Sequence, residues 1–333
     1  MKQKYIGQRL KSFGAFFLIL LLLPYVVTVF THGAEISAVW ADNKSYVKVK
    51  EILDNGEERI ISLPWEQYMI GILAKELPAD CGEELAKAQA VLVRTKLYQE
   101  LDGAKSRQET CVLEEPYLSL SAMEKKTGKE NYEDYFEMLE RAVKETGNQV
   151  LKYNGDYAFV PFHQSSCGST RSGAEVLGSD SYPYLQVKEC LLDKEADEEM
   201  QSTIFEYKEV QKKCQPFLKA VSEEDADKIY QFSDFEILAY DSAGYVSQLR
   251  IGATVCTGDQ FRDALSLASG AFTIKDADGC LRVTTMGKGH GLGMSQWTAN
   301  KMAESGESYE AILQYFFEGT NLENGGEIFT KIE

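Results

Sequence analysis

Apolar and polar positions follow two different periods along this chain, and each period predicts a different kind of element. Apolar residues spaced three and four apart are typical of one face of a helix. Within the stretch from Glu83 to Leu101, for example, Leu85, Ala88 and Leu92 recur at that spacing. The same period, together with flanking proline residues, predicts helices at about Pro64–Leu77, Glu83–Leu101, Asn131–Glu145, Gln296–Ala303 and Tyr309–Phe317.

Alternation with a period of two predicts strands, and Asn-Gly pairs between such strands favour tight hairpin turns. One hairpin is expected around Asn55-Gly56 and a second around Asn154-Gly155. The strands expected from this pattern are Tyr46–Lys50, Arg59–Leu63, Val150–Tyr153, Tyr157–Phe162, Val246–Ile251 and Leu281–Thr285. Residues 102–130 show neither period and are expected to be irregular, whereas 192–242 is expected to be an acidic, largely helical subdomain. The combination predicts an α+β fold of antiparallel hairpins with several packed helices.

The N-terminus predicts export. Lys2, Lys4, Arg9 and Lys11 precede an uncharged, mostly apolar stretch from Ser12 to Thr31, whose length is close to that of a membrane-spanning helix. Because positive flanks stay in the cytoplasm, we expect residues 1–33 to form a cytoplasmic tip and a single transmembrane anchor, or else a cleaved signal sequence. Residues 34–325 would then form the extracytoplasmic domain, followed by a tail at 326–333.

The charge excludes one class of partner. A formal net charge of −17 argues against nucleic acid, which requires a basic surface. Acidic residues are concentrated at 193–199 and 223–225. We interpret most of these residues as lying on solvated faces.

Two residues on the predicted helices are candidates for chemistry. Glu76 falls in the last turn of its helix, just before Pro78, where unpaired carbonyls and the helix dipole disfavour a carboxylate. Its pKa should rise, which suits a general acid, although an exposed glutamate reaching solvent would fit the same position. Arg94 lies among apolar residues and needs either a structural carboxylate or an anionic ligand.

The exported part contains seven cysteine residues and no Cys-x-x-Cys motif. His163 and Cys167 are four residues apart in a polar loop, and Cys190 follows. Three alternatives are open: a zinc site with these three ligands, a Cys167–Cys190 disulfide, or a thiol activated by His163.

The second histidine of interest, His290, lies in the segment Gly287-Lys288-Gly289-His290-Gly291-Leu292-Gly293. Such a density of glycine is costly inside a helix or strand and indicates a close backbone approach or positive φ angles. A histidine on a glycine-rich turn that leads into a helix is more typical of a site than of a core.

Taken in order, these motifs resemble the stage II sporulation protein D (SpoIID) family, which includes the amidase-enhancer proteins. The resemblance covers roughly residues 60–322. It is carried by Glu76-Leu77-Pro78, the segment from Glu84 to Thr95, Phe162-His163 through Gly168, Pro183-Tyr184-Leu185, and Gly289 through Trp297. Cys167 departs from the family pattern, which has glycine there in most members.

The resemblance implies a membrane-anchored lytic transglycosylase. Such an enzyme cuts the bond between N-acetylmuramic acid and N-acetylglucosamine in peptidoglycan strands stripped of their stem peptides and leaves a 1,6-anhydro end. It implies that Glu76 is the catalytic residue and that the substrate is bound by Arg94, His163, Ser165, Tyr184, His290, Ser295 and Gln296. No cofactor is required by this chemistry, although some members hold zinc through His and Cys ligands.

The resemblance also implies partner proteins and an alternative function. The setting would be engulfment during sporulation, in a complex with an N-acetylmuramoyl-L-alanine amidase and other membrane proteins. The alternative is a non-catalytic peptidoglycan-binding protein that enhances such an amidase. A zinc hydrolase is the weakest reading, because the chain contains only three histidine residues.

Overall fold

The computed structural model describes residues 45–52, 56–106, 111–196, 199–218 and 229–326. The predicted anchor or signal sequence at 1–33 lies outside these ranges, as do Asn55 of the first predicted turn and nearly all of the predicted tail. Within these ranges, no helix combines the length and the apolar character that crossing a bilayer requires.

Three strands and four helices build the first half of the larger core. Strands β1 (Tyr46–Ile52) and β2 (Glu58–Pro64) pair in an antiparallel hairpin, and β3 (Val112–Leu113) adds to β1 in parallel. The helices that pack together next to this sheet are α1 (Trp65–Glu76), α2 (Glu83–Ser106), α3 (Leu120–Thr127) and α4 (Lys129–Glu145).

The same core is completed by elements from the middle and the end of the chain. Strand β4 (Gln149–Tyr153) pairs with β5 (Asp156–Tyr157) on one side and with β14 (Asn321–Asn324) on the other. Strand β6 (Phe162–His163) pairs in parallel with β13 (Met294–Ser295). The remaining helices are α5 (Gly173–Leu177), α8 (Gln296–Glu304) and α9 (Tyr309–Phe316).

A second hydrophobic core lies between these two groups in the sequence. It is enclosed by two three-stranded antiparallel sheets with the orders β10-β9-β8 and β11-β12-β7. The elements are β7 (Met200–Glu206), α6 (Tyr207–Cys214), β8 (Phe235–Tyr240), β9 (Val246–Ile251), β10 (Thr254–Cys256), α7 (Gly258–Leu265), β11 (Phe272–Asp276) and β12 (Cys280–Met286). The chain therefore leaves the first core, builds the second, and returns through the glycine-rich segment.

Local sequence explains why helix α1 ends where the site begins. Pro64, with its φ of −56°, precedes the first turn, and Leu77 is extended with a ψ of 145° because Pro78 disfavours helical geometry at the residue before it. The helix is buried along most of its length, and a Cβ added at Gly71 would lie 2.8 Å from the Leu118 carbonyl oxygen. Helix α1 is thus held tightly in the core, with Glu76 as its last residue.

The α+β prediction with antiparallel hairpins and several helices is confirmed, but three local predictions are wrong. Residues 102–130 include the end of α2, strand β3 and helix α3. Described residues of 192–242 form strands β7 and β8 and only one short helix, α6, because their outward faces are polar while alternate side chains enter the second core. The predicted strand Tyr157–Phe162 is divided, with β5 and β6 belonging to different sheets.

Candidate functional site

Glu76 occupies a half-buried position at the C-terminal end of α1. Burial raises the pKa of its carboxyl group, and the negative charge of Glu115 raises it further, while Lys75, Lys96 and Lys126 oppose the shift. This agrees with the direction expected from its position in the helix. A carboxyl group with a raised pKa can hold a proton at a pH at which an exposed glutamate has lost it.

Lys126 fixes the backbone on both sides of Glu76. Its Nζ donates hydrogen bonds to the carbonyl oxygens of Ala74 and Leu77, each at 2.6 Å. Both carbonyls lie at the end of α1, where intrahelical partners run out, so the ammonium group satisfies acceptors that the helix leaves open. The side chain of Glu76 therefore starts from a well-fixed backbone.

The carbonyl of Glu76 also meets the beginning of α8. The side-chain nitrogen of Gln296 lies 3.4 Å from the Glu76 carbonyl oxygen and 3.2 Å from Oε1 of Gln89, which is fully buried. Gln296 is the first residue of α8 and directly follows strand β13. The glutamate and the glycine-rich segment, separated widely in the sequence, are thereby brought to one place.

Strand pairing adds His163 to this place. The register of β6 and β13 sets His163 opposite Ser295, the residue before Gln296. Nδ1 of His163 lies 3.1 Å from the Leu292 carbonyl oxygen, and the rings of His163 and His290 are 5.8 Å apart between centroids. The two imidazole rings therefore lie close together beside the start of α8, whose first residue, Gln296, reaches the backbone carbonyl of Glu76.

Both histidines are held in the neutral form. Complete burial, assisted by the nearby His290, lowers the pKa of His163 to about 3. Burial also lowers the pKa of His290, assisted by the positive charge of Arg262. Since a carbonyl only accepts, Nδ1 of His163 donates to Leu292, whereas Nδ1 of His290 accepts from the Leu292 amide at 3.0 Å.

The glycines around His290 are required by close approach. A Cβ at Gly289 would lie 2.6 Å from Cβ of His163, and one at Gly293 would lie 1.9 Å from the Pro161 carbonyl oxygen. Both glycines also have positive φ angles, 124° and 69°. The expectation that this segment needs glycine for close contact is confirmed, and the contact is with the strand that carries His163.

Asp193 is an important residue that sequence reasoning placed on a solvated face, and that interpretation is wrong. Its side chain is fully buried and accepts hydrogen bonds from the hydroxyl groups of Ser295 (2.8 Å) and Thr298 (2.6 Å) and from the Ser166 amide (2.5 Å). The carboxylate thus ties the His163 loop to β13 and α8. An acidic run gives no signal that one of its members points inward.

Arg171 is a second residue that the sequence did not single out. Its guanidinium group binds Asp241 at 2.7 Å and Asp259 at 2.9 Å, and it also donates to the His290 carbonyl oxygen at 3.2 Å. Both carboxylates belong to the second core, on the β8–β9 connection and on α7. Arg171 therefore links the second core to the segment that presents His290.

Arg94 occupies a different place from the one expected. It is 1% exposed, and its guanidinium donates at 3.1 Å to the carbonyls of Val143 and Gln149 and to the Thr146 hydroxyl. Burial lowers its pKa to about 10. The expected carboxylate or anionic partner is replaced by oxygens at the end of α4 and the start of β4, so the described contacts of Arg94 lie within the core.

Three further predicted substrate contacts also lie inside the fold. Tyr184 is 3% exposed and its hydroxyl accepts from the Phe159 amide at 2.8 Å. Ser165 is buried and pairs through its backbone with Lys288. Ser295 is buried against Asp193 and caps α8. All three are buried, whereas Glu76 and His290 are partly exposed among the residues predicted to act in catalysis or substrate binding.

The structure also argues against the three alternatives for His163, Cys167 and Cys190. All seven cysteines are free thiols, so the Cys167–Cys190 disulfide prediction is wrong. Sγ of Cys167 contacts the Ala243 carbonyl at 3.3 Å, and Sγ of Cys190 contacts that of Lys188 at 3.7 Å. In the described part of the chain no three His, Cys, Asp or Glu side chains are grouped as metal ligands. His163, Cys167 and Cys190 therefore do not fit a zinc ion, and burial raises the pKa of both thiols, which opposes thiolate formation.

Comparison with known proteins identifies a family domain in this chain. Residues 54–153 match the model of SpoIID, stage II sporulation protein. The chain therefore contains a SpoIID domain at these residues. Two relatives are each named stage II sporulation protein D. The one from Bacillus subtilis (strain 168) is 27% identical over 338 residues, covering 94% of this chain and 95% of the relative. The one from Bacillus amyloliquefaciens is 28% identical over 277 residues, covering 81% and 77%.

A third relative has a different name. The amidase enhancer of Bacillus subtilis (strain 168) is 24% identical over 301 residues, which is 76% of this chain and 40% of that protein. The segment matched by the SpoIID model contains Glu76 and Arg94, whereas His163 and His290 lie after it.

Proposed function

We propose that this protein is a peptidoglycan lytic transglycosylase in which Glu76 carries the proton. The observation that carries the proposal is the half-buried carboxyl group at the end of α1, whose pKa is raised by burial. The names of the relatives support a role in sporulation and in the cell wall.

The proposed reaction needs only one carboxyl group. Glu76 donates its proton to the glycosidic oxygen as the bond from that oxygen to C1 of the muramic acid breaks. The 6-hydroxyl group of the same sugar then attacks C1, and its proton passes to the Glu76 carboxylate, which restores the starting state. Ordinary glycosidases use a second carboxylate for the nucleophile or for activating water, but here the substrate supplies the nucleophile. A pKa above the usual range suits both proton transfers.

The surrounding residues fix the position of the Glu76 carboxyl group or contact the substrate beside it. Lys126 and Gln296 hold the backbone on either side of it and at its own carbonyl. His290, which is partly exposed and neutral, lies on the adjoining glycine-rich turn, where it can contact an uncharged sugar group. His163 is buried behind it and acts as a positioning residue.

The setting is part of the proposal. Residues 1–33 would anchor the protein in the cell membrane with the domain on the extracytoplasmic side, where denuded glycan strands are found. An amidase that strips stem peptides would supply this substrate, and the amidase-enhancer relative supports a connection with such an enzyme.

The test is a digest of denuded glycan strands by the full chain, followed by mass spectrometry for 1,6-anhydro ends. Glu76→Gln keeps the size of the side chain and removes the transferable proton, so turnover should fall by at least about a hundredfold, the lower range for general acid–base catalysis. Asp80→Asn, an exposed carboxylate four residues further on, serves as the matched control and should keep its activity. Anhydro ends released by Glu76→Gln at the wild-type rate would refute the assignment.

A second function is favoured by the amidase-enhancer relative. In that case the protein binds glycan strands and stimulates a partner amidase without cutting them. The wild-type digest would then contain no anhydro ends, whereas an added N-acetylmuramoyl-L-alanine amidase would release stem peptides faster in the presence of the protein.

A further inference from the structure

One sheet of the second core has a face that the hydrophobic cores do not use. Strands β11, β12 and β7 turn alternate residues into the second core, and the other residues line an open groove of about 780 Å³. We call this the sheet groove. Met200, Ser202, Thr273, Lys275, Arg282 and Thr284 are among the residues that line it.

Two cations meet directly across the strands of the sheet groove. Lys275 on β11 is paired in register with Arg282 on β12, and both are exposed. Like charges that lie directly opposite each other in a sheet are destabilising. In the described part of the chain neither side chain forms an ion pair, although the whole chain has a net charge of −17. The carboxylates of Asp276 and Asp278 also line the groove, so the positive charge is confined to the row that contains Lys275 and Arg282.

The rest of the sheet groove suits a hydroxyl-rich polymer. In the next row Thr284 lies between Ser202 and Thr273, with hydroxyl groups that can donate and accept hydrogen bonds. The row after it is formed by Met200 and Met286. The carboxylates are at the opposite end, where Asp276 accepts from the Tyr207 hydroxyl and Asp278 occupies the hairpin turn. The groove thus runs from an acidic end, past the cations and hydroxyls, to an apolar end.

The apolar end leads into the candidate site. Met286 is the last residue of β12, and the chain continues directly through Gly287 to His290. The stretch from Arg282 to Met286 spans roughly 13 Å at the usual rise of a strand. An extended polymer with one end at Glu76 and His290 would have this strand as a neighbouring surface.

We propose that the sheet groove is an accessory subsite for the glycan strand, with Lys275 and Arg282 binding the lactyl carboxylates of its muramic acid residues. The choice of occupant rests on the proposed function. It follows from charge complementarity, because a glycan without stem peptides carries a free carboxylate on each muramic acid and is otherwise uncharged and rich in hydroxyl groups. A guanidinium group binds carboxylates in a bidentate manner, and the adjacent ammonium group adds a second charge.

The test compares binding by the full chain in the Glu76→Gln background, so that cleavage does not interfere. Lys275→Gln/Arg282→Gln removes the cation pair, and Lys129→Gln/Lys212→Gln makes the same charge change at exposed positions on helices α4 and α6. The probe is denuded glycan of defined length. We expect the groove variant to raise Kd by roughly tenfold, as two partly exposed charge contacts would, and to lose most of the salt dependence, while the control variant keeps both.

A second probe identifies the group that is recognised. When the lactyl carboxylates are converted to neutral methylamides, the parent and the groove variant should bind equally weakly. Equal binding of the unmodified glycan by the parent and the groove variant would overturn the proposal. So would a groove-dependent affinity that appears only with poly(glycerol phosphate), since the site would then serve a phosphate polymer. Matching unfolding midpoints of the variants show that any loss of binding does not come from loss of fold.

The outcome is separable from that of the proposed function. A wild-type digest without anhydro ends would refute the transglycosylase, but a tenfold groove-dependent affinity for the carboxylate-bearing strand would still establish the subsite. Conversely, an active enzyme with an unaffected groove variant would refute only the subsite.

Discussion

At the residue scale, the environment of Glu76 combines burial with charges of both signs. Burial and Glu115 favour the protonated carboxyl group, while three lysines favour the carboxylate. The pKa is raised because burial outweighs the lysines. The site therefore contains an acid whose strength depends on neighbours that can be changed one at a time.

This balance predicts the pH dependence of the proposed activity. Glu76 must be protonated to donate, so activity falls as the pH rises through its pKa, which lies above the ordinary value of 4.5. Glu115→Gln removes a negative charge that raises the pKa and also frees Lys96, its ion-pair partner, to stabilise the Glu76 carboxylate. Both effects lower the pKa of Glu76, so the alkaline limb of kcat/KM should move to lower pH. The measurement is the pH profile of anhydro-end release.

The neighbouring Glu114 provides the control for that shift. Its side chain is 69% exposed, and Glu114→Gln should leave the alkaline limb in place. A shift of equal size in both variants would indicate a general effect of net charge, and an alkaline limb that does not move in Glu115→Gln would contradict the assignment of Glu76 as the titrating acid.

The sequence predicted the environments of the candidate residues more reliably than their roles. The position of Glu76 before Pro78 contains the information about its environment, since helix ends and proline act locally. Arg94 is correctly expected to need partners, but the partners are carbonyls at the end of α4 and the start of β4, and those come near only through tertiary packing. The sequence therefore identifies a buried arginine but does not show which acceptors its guanidinium group binds.

At the scale of elements, local patterns predicted the hairpins and long helices of the first core and strands β9 and β12 of the second, but they misjudged residues 192–242. Strand β7 has a polar outward face and was interpreted as part of a helical acidic region, because its strand geometry comes from pairing with the distant β12. The same limit applies to Asp193, which lies in an acidic run but is turned inward by the 3₁₀-helical segment Leu191–Glu195.

The Asp193 carboxylate joins three parts of the fold, so its replacement should weaken the contacts between all of them. Asp193→Asn keeps the shape but replaces one acceptor oxygen with a donor, which leaves at least one of the Ser295, Thr298 and Ser166 donors without a partner. An unsatisfied buried donor costs about 1–3 kcal/mol. We expect the free energy of unfolding to fall by about that amount in urea denaturation. The exposed Glu195→Gln, on the same segment, should change it by less than about 0.5 kcal/mol.

That pair of variants also has a clear negative outcome. Equal stability of Asp193→Asn and Glu195→Gln would mean that the buried carboxylate does not hold the His163 loop to α8. In that case Ser295 and Gln296 would need another support for their positions.

At the scale of the whole molecule, the two cores meet at the glycine-rich segment through Arg171. Its two carboxylate partners come from the second core, while its backbone amide donates to the Gly291 carbonyl at 2.8 Å and its side chain to that of His290. The ring of Tyr245 lies 4.8 Å from the guanidinium carbon. The position of His290 is thus coupled to the second core, which also carries the sheet groove.

This coupling predicts that Arg171 affects glycan binding although it is not one of the residues proposed to carry out the reaction. Arg171→Gln leaves Asp241 buried without its cation, and such an uncompensated charge costs about 3–5 kcal/mol. Combining it with Asp241→Asn and Asp259→Asn removes the stranded charges and should restore much of the stability without restoring the link to His290. The folded triple variant should therefore bind long denuded glycan more weakly than wild type, because the strand no longer meets both surfaces in a fixed geometry. Arg250→Gln with Glu236→Gln, an exposed ion pair on β9 and β8, is the matched control. Unchanged binding of long strands by the folded triple variant would show that the two cores need not be held together for the site to work.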